Sequence, residues 1–176
     1  NIVVNYAIAN ATSYDEKLAL IEGQLIDVTQ IICDIYSRFL FESKVVNNRS
    51  ENFMFADELC QIMLDAQKEA YGDGLDHEVL HPFMWVCKGH YYSAGLGFYN
   101  FPYAFGGLFA RGLYAKFQQE GPAFLEKYNY MLKETPVRSV EDVAKICDID
   151  LTSKEFWLMS LHSYDEVIAE FKRLVK

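Results

Sequence analysis

One apolar stripe with helical spacing runs through the first part of the chain and limits what the chain can fold into. Its members follow one another at steps of three and four residues: Leu18, Ile21, Leu25, Val28, Ile32, Ile35 and Phe39. This spacing lines one side of an α-helix, whereas a half-buried strand needs strict alternation. Ser13, with Glu16 three residues later, has the pattern of a helix N-cap. We therefore expect a long packing helix from Ser13 to about Ser43.

Helical signals recur along the rest of the chain. Further helices are predicted from Phe53 to Tyr71, Tyr103 to Gln119, Gly121 to Lys133, Ser139 to Cys147 and Thr152 to Lys176. Gly72 is expected to end one of them, and Asn100 and Pro102 to begin another by capping and first-turn geometry. No period holds through residues 75–97, which we interpret as loops and short helical turns. The sequence predicts an all-α multi-helix bundle, with residues 1–176 forming a single domain.

Composition excludes several classes of function. The 176 residues carry a formal net charge of −9, which would repel a nucleic-acid backbone or an anionic membrane over most of the surface. No apolar run reaches the roughly 18 residues that a membrane span needs. The four cysteines lie far apart among apolar neighbours and form no CxxC pair. Buried, reduced thiols in a cytoplasmic protein are therefore favoured over disulfides.

The histidines are the first candidates for chemistry. His77 and His81 are four residues apart, but Pro82 disfavours helical geometry at His81, and no third ligand follows at metal-binding spacing. A solvated turn is favoured there over a zinc pair. The cysteines lack a histidine partner, Ser93 has no base at a recognisable spacing, and no GxSxG motif occurs, so the sequence supplies no activated nucleophile.

His90 lies in a segment, residues 85–109, that is unusually rich in aromatic residues. Those at helical spacing are expected to form a core layer: Phe98, Phe101, Phe105 and Phe109. Tyr99 and Tyr103 are four residues apart at a predicted helix start, so their hydroxyls can project together with the His90 imidazole. Such donors suit a developing oxyanion, the feature that acyl-transfer and peptide-hydrolysing sites need.

Two nearby stretches carry a resemblance to a known family. Residues 81–92 read His-Pro-Phe-Met-Trp-Val-Cys-Lys-Gly-His-Tyr-Tyr, and residues 97–106 read Gly-Phe-Tyr-Asn-Phe-Pro-Tyr-Ala-Phe-Gly. Together they resemble the carboxy-terminal signature of oligoendopeptidase F, which belongs with thimet oligopeptidase among the zinc metallopeptidases. Residues 65–73 and 2–7 are also similar to members of that family. The resemblance extends over essentially the whole chain.

The resemblance implies that this chain supplies only part of the active site of a longer protein. In the family, zinc is held by the two histidines of an HExxH motif and by a further glutamate, and none of these occurs here. It therefore implies that this chain is a carboxy-terminal fragment, with zinc bound upstream of Asn1. His90, Tyr99 and Tyr103 match the residues that bind peptide and stabilise the tetrahedral intermediate. One departure is Gly106, where thimet-type relatives place another tyrosine.

The predicted function is hydrolysis of short peptides by the intact protein. Beyond the three catalytic candidates, we expect Tyr91, Tyr92 and Gly97 to contact the substrate, with room for an extended peptide left by nearby glycines. The chain alone is expected to be inactive, with or without zinc. A non-catalytic, all-helical interaction module is the alternative. An HExxH motif in the residues that precede Asn1 discriminates the two.

Overall fold

The structure, a computed structural model, describes residues 2–176, and its helices account for most of them. The α-helices are α1 (Ile2–Ala9), α2 (Tyr14–Thr29), α3 (Ile35–Arg49), α4 (Ala56–Tyr71), α5 (Phe101–Glu120), α6 (Phe124–Glu134), α7 (Val140–Ile146), α8 (Lys154–His162) and α9 (Asp165–Leu174). Between residues 2 and 176 no strand is formed. The predicted all-α multi-helix bundle is confirmed. None of the helices in this range is long and apolar enough to cross a bilayer.

The described residues divide into two compact units. Unit 1 comprises residues 2–4 and Glu22–Phe105, and unit 2 comprises Asn5–Ile21 and Gly106–Lys176. Helices α1, α2 and α5 each contribute residues to both units. The single domain expected over residues 1–176 stays a prediction.

The long helix predicted from Ser13 forms, but it ends later than expected. Ser13 Oγ accepts a hydrogen bond from the Glu16 amide (3.2 Å), as an N-cap does. A π-helical turn, Gln30–Asp34, joins α2 to α3, and helical structure continues to Arg49 instead of ending near Ser43. The polar residues before Arg49 do not break the helix, because neither glycine nor proline interrupts it there.

Unit 1 is built on the pairing of α3 with α4. Phe41, Met63 and Ala66 form its buried core, against which the loop residues Trp85 and Tyr91 pack. The loop is also fastened by a buried glutamine. Gln67 Nε2 donates to the His81 carbonyl (3.0 Å), and the His81 amide donates to Gln67 Oε1 (3.2 Å). Residues 75–97 form loops and 3₁₀ turns on this support, as predicted.

Unit 2 has its own apolar core. Its buried members are Leu113, Phe124, Met131, Val143, Ala144, Cys147, Ile149 and Phe156. Helix α8 packs tightly against Gly112 on α5: a Cβ added there would lie 2.6 Å from Ser160 Oγ and would overlap the Phe156 ring. Close approach of another helix therefore explains this glycine. Cys147 is buried as predicted, but Cys87 is exposed because it lies on a short surface 3₁₀ turn.

The last predicted helix is interrupted in the structure. Instead of one helix from Thr152 to Lys176, α8 ends at His162 and α9 begins at Asp165. The buried Arg111 explains the break, since its guanidinium binds Ser163 Oγ (2.7 Å) and the Ser163 carbonyl (2.9 Å). The same guanidinium lies 4.3 Å from the centre of the Tyr164 ring. A cation therefore holds the carboxyl end of α8, where the helix dipole favours positive charge.

Candidate functional site

Three of the residues singled out from the sequence come together in unit 1. The rings of His90, Tyr99 and Tyr103 form a triangle with centroid separations of 6.0 to 6.2 Å, which we call the three-ring cluster. His90 and Tyr99 lie almost parallel, at 8°, and Tyr103 stands edge-on to both at 89°. The Tyr103 hydroxyl lies 3.4 Å from His90 Nε2, at the long end of a hydrogen bond.

The three rings are carried by three different pieces of local structure. His90 lies on the 3₁₀ turn Gly89–Tyr92, Tyr99 lies in the turn that precedes α5, and Tyr103 lies in the first turn of α5. The Tyr99 amide donates to the Leu96 carbonyl (3.0 Å) and sets the path of the chain between the last 3₁₀ turn and α5. The sequence thus brings residues 13 positions apart into one group.

The cluster is partly exposed to solvent. Tyr99 is 45% exposed and Tyr103 is 42% exposed, whereas His90 is half-buried. Phenol hydroxyls donate and accept hydrogen bonds, and an imidazole carries a donor on at least one ring nitrogen. The cluster therefore offers polar groups from three side chains to one region of the surface of unit 1. Such groups suit a carbonyl oxygen and the oxyanion that forms from it.

The start of α5 is organised differently from the prediction. The helix begins at Phe101, but Asn100 does not cap it with its side-chain oxygen. Asn100 Nδ2 instead donates to Glu42 Oε2 (2.7 Å), and its Oδ1 is buried without a hydrogen-bond partner. Glu42 Oε1 accepts from the Phe98 amide (2.7 Å). Long-range binding to a carboxylate on α3 has replaced the local cap.

Glu42 was not among the sequence candidates. It is separated from its partners by 56 and 58 residues. Within α3 it is the first of three polar residues, Glu42-Ser43-Lys44, a pattern that is typical of a solvated helix face. No local signal in the sequence distinguishes it, and only the packing of the loop on α3 shows its contacts.

The three residues predicted to bind substrate have different environments. Tyr91 packs on Phe41 at 5.1 Å between ring centres, and burial raises the pKa of its phenol. Tyr91 is therefore partly buried against the core of unit 1 and is not part of the three-ring cluster. Tyr92 is mostly exposed, and its hydroxyl donates to the Trp85 carbonyl (3.2 Å). Gly97 is exposed, and a Cβ added there would meet open space.

The predicted aromatic core layer is only partly formed. Phe109 packs against the core of unit 2, as expected, and Phe98 packs edge-on against Phe39 at 6.3 Å. Phe101 is 62% exposed, so its assignment to the core was wrong. It lies at the first position of α5, directly after the turn that carries Tyr99. Helical spacing alone does not tell which side of a helix start faces the protein.

The remaining histidines lie elsewhere. His77 Nε2 is 2.9 Å from the Gly72 carbonyl, and His81 Nδ1 accepts the Phe83 amide (3.2 Å). Within the part of the chain that the structure describes, no group of three histidine, cysteine, aspartate or glutamate side chains could hold a metal ion. The prediction that zinc is bound by residues outside this chain stays a prediction.

Comparisons with family models, with curated proteins and with solved structures give no match to this chain. The likeness to oligoendopeptidase F therefore rests on the residues quoted above, chiefly residues 81–92 and 97–106. The three-ring cluster lies within those two stretches.

Proposed function

We propose that this chain supplies the substrate-binding and oxyanion-stabilising face of a cytoplasmic zinc oligoendopeptidase that hydrolyses short peptides. The zinc ligands and the general-base glutamate would then lie in a preceding part of the same protein. The observation that carries the proposal is the convergence of His90, Tyr99 and Tyr103 within 6.2 Å of one another.

Peptide hydrolysis is accelerated by hydrogen-bond donors directed at the oxygen of the scissile carbonyl. When water adds to a peptide carbonyl, the oxygen becomes negatively charged, and fixed donors that bind this charge more tightly than the carbonyl lower the barrier. Zinc, when bound, polarises that carbonyl and lowers the pKa of its water. In our proposal the Tyr99 hydroxyl donates to the oxyanion, while His90 donates beside it. Tyr103, whose hydroxyl is 3.4 Å from His90 Nε2, orients the imidazole or grips the peptide.

The proposal is tested by replacing one hydroxyl in the full-length protein. Tyr99→Phe keeps the ring and removes the donor, so we expect kcat for a short fluorogenic peptide to fall about 100- to 1,000-fold. Tyr36→Phe is the matched control, because Tyr36 is also exposed in unit 1 but its hydroxyl donates to Glu69 Oε1 (3.5 Å) and it is not part of the proposed site. Equal losses in the two variants, or no loss in Tyr99→Phe, would refute the proposal.

A second test concerns the chain by itself. If zinc is held by residues outside it, residues 1–176 should show no hydrolysis of peptides with or without added zinc. The full-length gene should encode HExxH before Asn1. Zinc-dependent hydrolysis by the isolated chain would overturn the assignment of the ligands.

The interaction module remains the second candidate, because unit 1 exposes several apolar side chains near its loop. Phe83, Val86 and Phe101 are each more than half exposed. Exposed apolar groups of this kind are typical of surfaces that meet another protein. A full-length protein that lacks HExxH and has no peptidase activity would favour this candidate.

A further inference from the structure

The turn that carries Tyr99 has an unusual backbone. Phe98 has a φ of +54°, in the left-handed region that residues other than glycine rarely adopt. The Asn100 amide donates to the Phe98 carbonyl (2.7 Å), so Tyr99 is the middle residue of a tight turn. Such a conformation persists only where surrounding contacts hold it, and strained backbone of this kind concentrates at functional sites.

Both oxygens of Glu42 bind this turn. Oε1 accepts the Phe98 amide and Oε2 accepts Asn100 Nδ2, each at 2.7 Å. The two bonds lie on either side of Tyr99 in the sequence. They are charge-assisted, and such hydrogen bonds are about twice as strong as neutral ones. Asn100 is 4% exposed, so its contact with Glu42 is shielded from water.

We propose that Glu42 is a positioning residue, which holds Tyr99 in the three-ring cluster by clamping the residues on either side of it. The inference rests on the proposed function of the cluster and adds a part of α3 to that site. Glu42 touches neither substrate nor reacting atoms in this account. It acts through Tyr99, whose distance and angle to His90 depend on the turn.

Two substitutions at Glu42 distinguish the loss of its hydrogen bonds to the turn from the loss of its negative charge alone. Glu42→Leu removes both acceptors. Glu42→Gln keeps an acceptor for the Phe98 amide, and its NH₂ group can donate to Asn100 Oδ1 once the Asn100 amide rotates. The rotation exchanges the two ends of the amide, so Oδ1 gains a partner while Nδ2 takes its unpaired position, and the number of unpaired atoms at Asn100 stays the same. Neither change alters the rings of Phe98 and Phe39, whose edge-on contact is a second attachment of this segment to α3.

The clamp itself is tested in residues 1–176 by amide hydrogen exchange measured by NMR. We expect the Phe98 amide to exchange about 10- to 100-fold faster in Glu42→Leu and much less so in Glu42→Gln. Contacts between the His90 and Tyr99 rings should weaken in Glu42→Leu. Glu51→Leu is the matched control, since Glu51 is an exposed glutamate of the same unit. Unchanged exchange at Phe98 in Glu42→Leu would overturn the inference.

Catalytic positioning is tested in the full-length protein by separating kcat from KM. Glu42→Leu should lower kcat about 10-fold or more with little change in KM, and Glu42→Gln should recover most of the rate. A loosened turn with unchanged kcat, or a fall in kcat that Glu51→Leu shares, would refute the positioning role. If the wild-type protein hydrolyses no peptide, the proposed function fails, and amide exchange alone decides whether the clamp exists.

Discussion

The three-ring cluster of unit 1 and the aromatic core of unit 2 use similar side chains in opposite environments. In unit 2 the Phe156 ring packs against Phe109 at 5.8 Å and against Trp157 at 5.1 Å, and Phe156 is almost fully buried. In unit 1 the rings of Tyr99 and Tyr103 are nearly as close to each other, yet both are more than 40% exposed. Ring proximity alone does not tell a core from a binding site.

The difference lies in what the polar atoms of each group do. Trp157 Nε1 donates to the Leu151 carbonyl (3.0 Å), so the polar edge of that ring is satisfied inside the protein. In the three-ring cluster, Tyr99 and Tyr103 stay exposed to solvent, and the Tyr103 hydroxyl lies 3.4 Å from His90 Nε2. Burial of apolar area stabilises unit 2, whereas the more exposed rings of the cluster gain less from packing. Substitutions should therefore affect activity in one region and stability in the other.

The largest effect is expected from His90→Ala in the full-length protein. Removing a donor to the oxyanion should lower kcat about 100- to 1,000-fold, while the thermal stability of residues 1–176 changes little. Because Tyr103 contacts His90, Tyr103→Phe should lower kcat by a smaller factor in the His90→Ala variant than in the wild type. Steady-state kinetics and thermal unfolding check both statements. A variant that loses its fold and its activity together would place His90 with the core residues instead.

A packing change in unit 2 should have the reverse effect. Gly112→Ala puts a methyl group against Phe156 and Ser160, and we expect unfolding free energy to fall by about 1–3 kcal/mol. Gly106→Ala, on the same helix, is the control because its added Cβ meets open space. It should raise helix stability by up to about 1 kcal/mol. Chemical denaturation of residues 1–176 measures both, and equal effects would show that α8 does not approach α5 as described.

A pH-dependent contribution is expected within unit 2. Hydrogen bonds from Arg173 and Lys17 lower the pKa of Glu170 from near 4.5 to about 2. A carboxyl whose pKa is lower in the folded state stabilises the fold above its unfolded pKa. This stabilisation should thus be full above about pH 4.5 and be lost as the pH falls towards 2.

Thermal unfolding of Glu170→Gln checks this contribution. Between about pH 4.5 and 2, the stability of the variant should fall less with pH than that of the wild type. Added salt should reduce the difference between the two proteins, because the Lys17–Glu170 ion pair is partly exposed. Identical profiles would show that the contacts of Glu170 with Arg173 and Lys17 contribute nothing to stability.

The smallest effect on stability is expected at Gly97. Its φ is −53°, and an added Cβ meets no atom within 4 Å, so Gly97→Ala should leave the unfolding transition almost unchanged. A rise in KM for peptides in the full-length protein would then report contact with substrate. A large loss of stability would mean that the loop packs more closely than the structure shows.

The comparison also shows what the sequence can predict. The spacing of Leu18 to Phe39 predicted the long helix, and Gly72 ends α4 with positive φ, because both signals are local. Phe39, the last residue of the predicted stripe, is 41% exposed, because the π-helical turn before it shifts the helical period. Local rules could not predict the break at Ser163, since Arg111 causes it from 52 residues away. They also misplaced Phe101, whose exposure depends on where the loop lies.

The candidate site divides in the same way. The spacing of Tyr99 and Tyr103 at a helix start indicated that they belong together, and the structure brings them together with His90. The sequence could not predict the contacts of Glu42, because its partners are distant in sequence. Local signals predicted Asn100 as a helix cap for the same reason, since nothing near it in the sequence shows that Asn100 Nδ2 donates to a carboxylate on α3.

The central claim is that the cluster binds a tetrahedral oxyanion better than a planar carbonyl. It is tested most directly in the full-length protein by measuring Kd for an uncleaved peptide and for its analogue with a phosphinate at the scissile position. In Tyr99→Phe we expect affinity for the analogue to fall about 100-fold or more, with peptide affinity within a few-fold of wild type. Equal losses for both ligands, or none for either, would contradict the account.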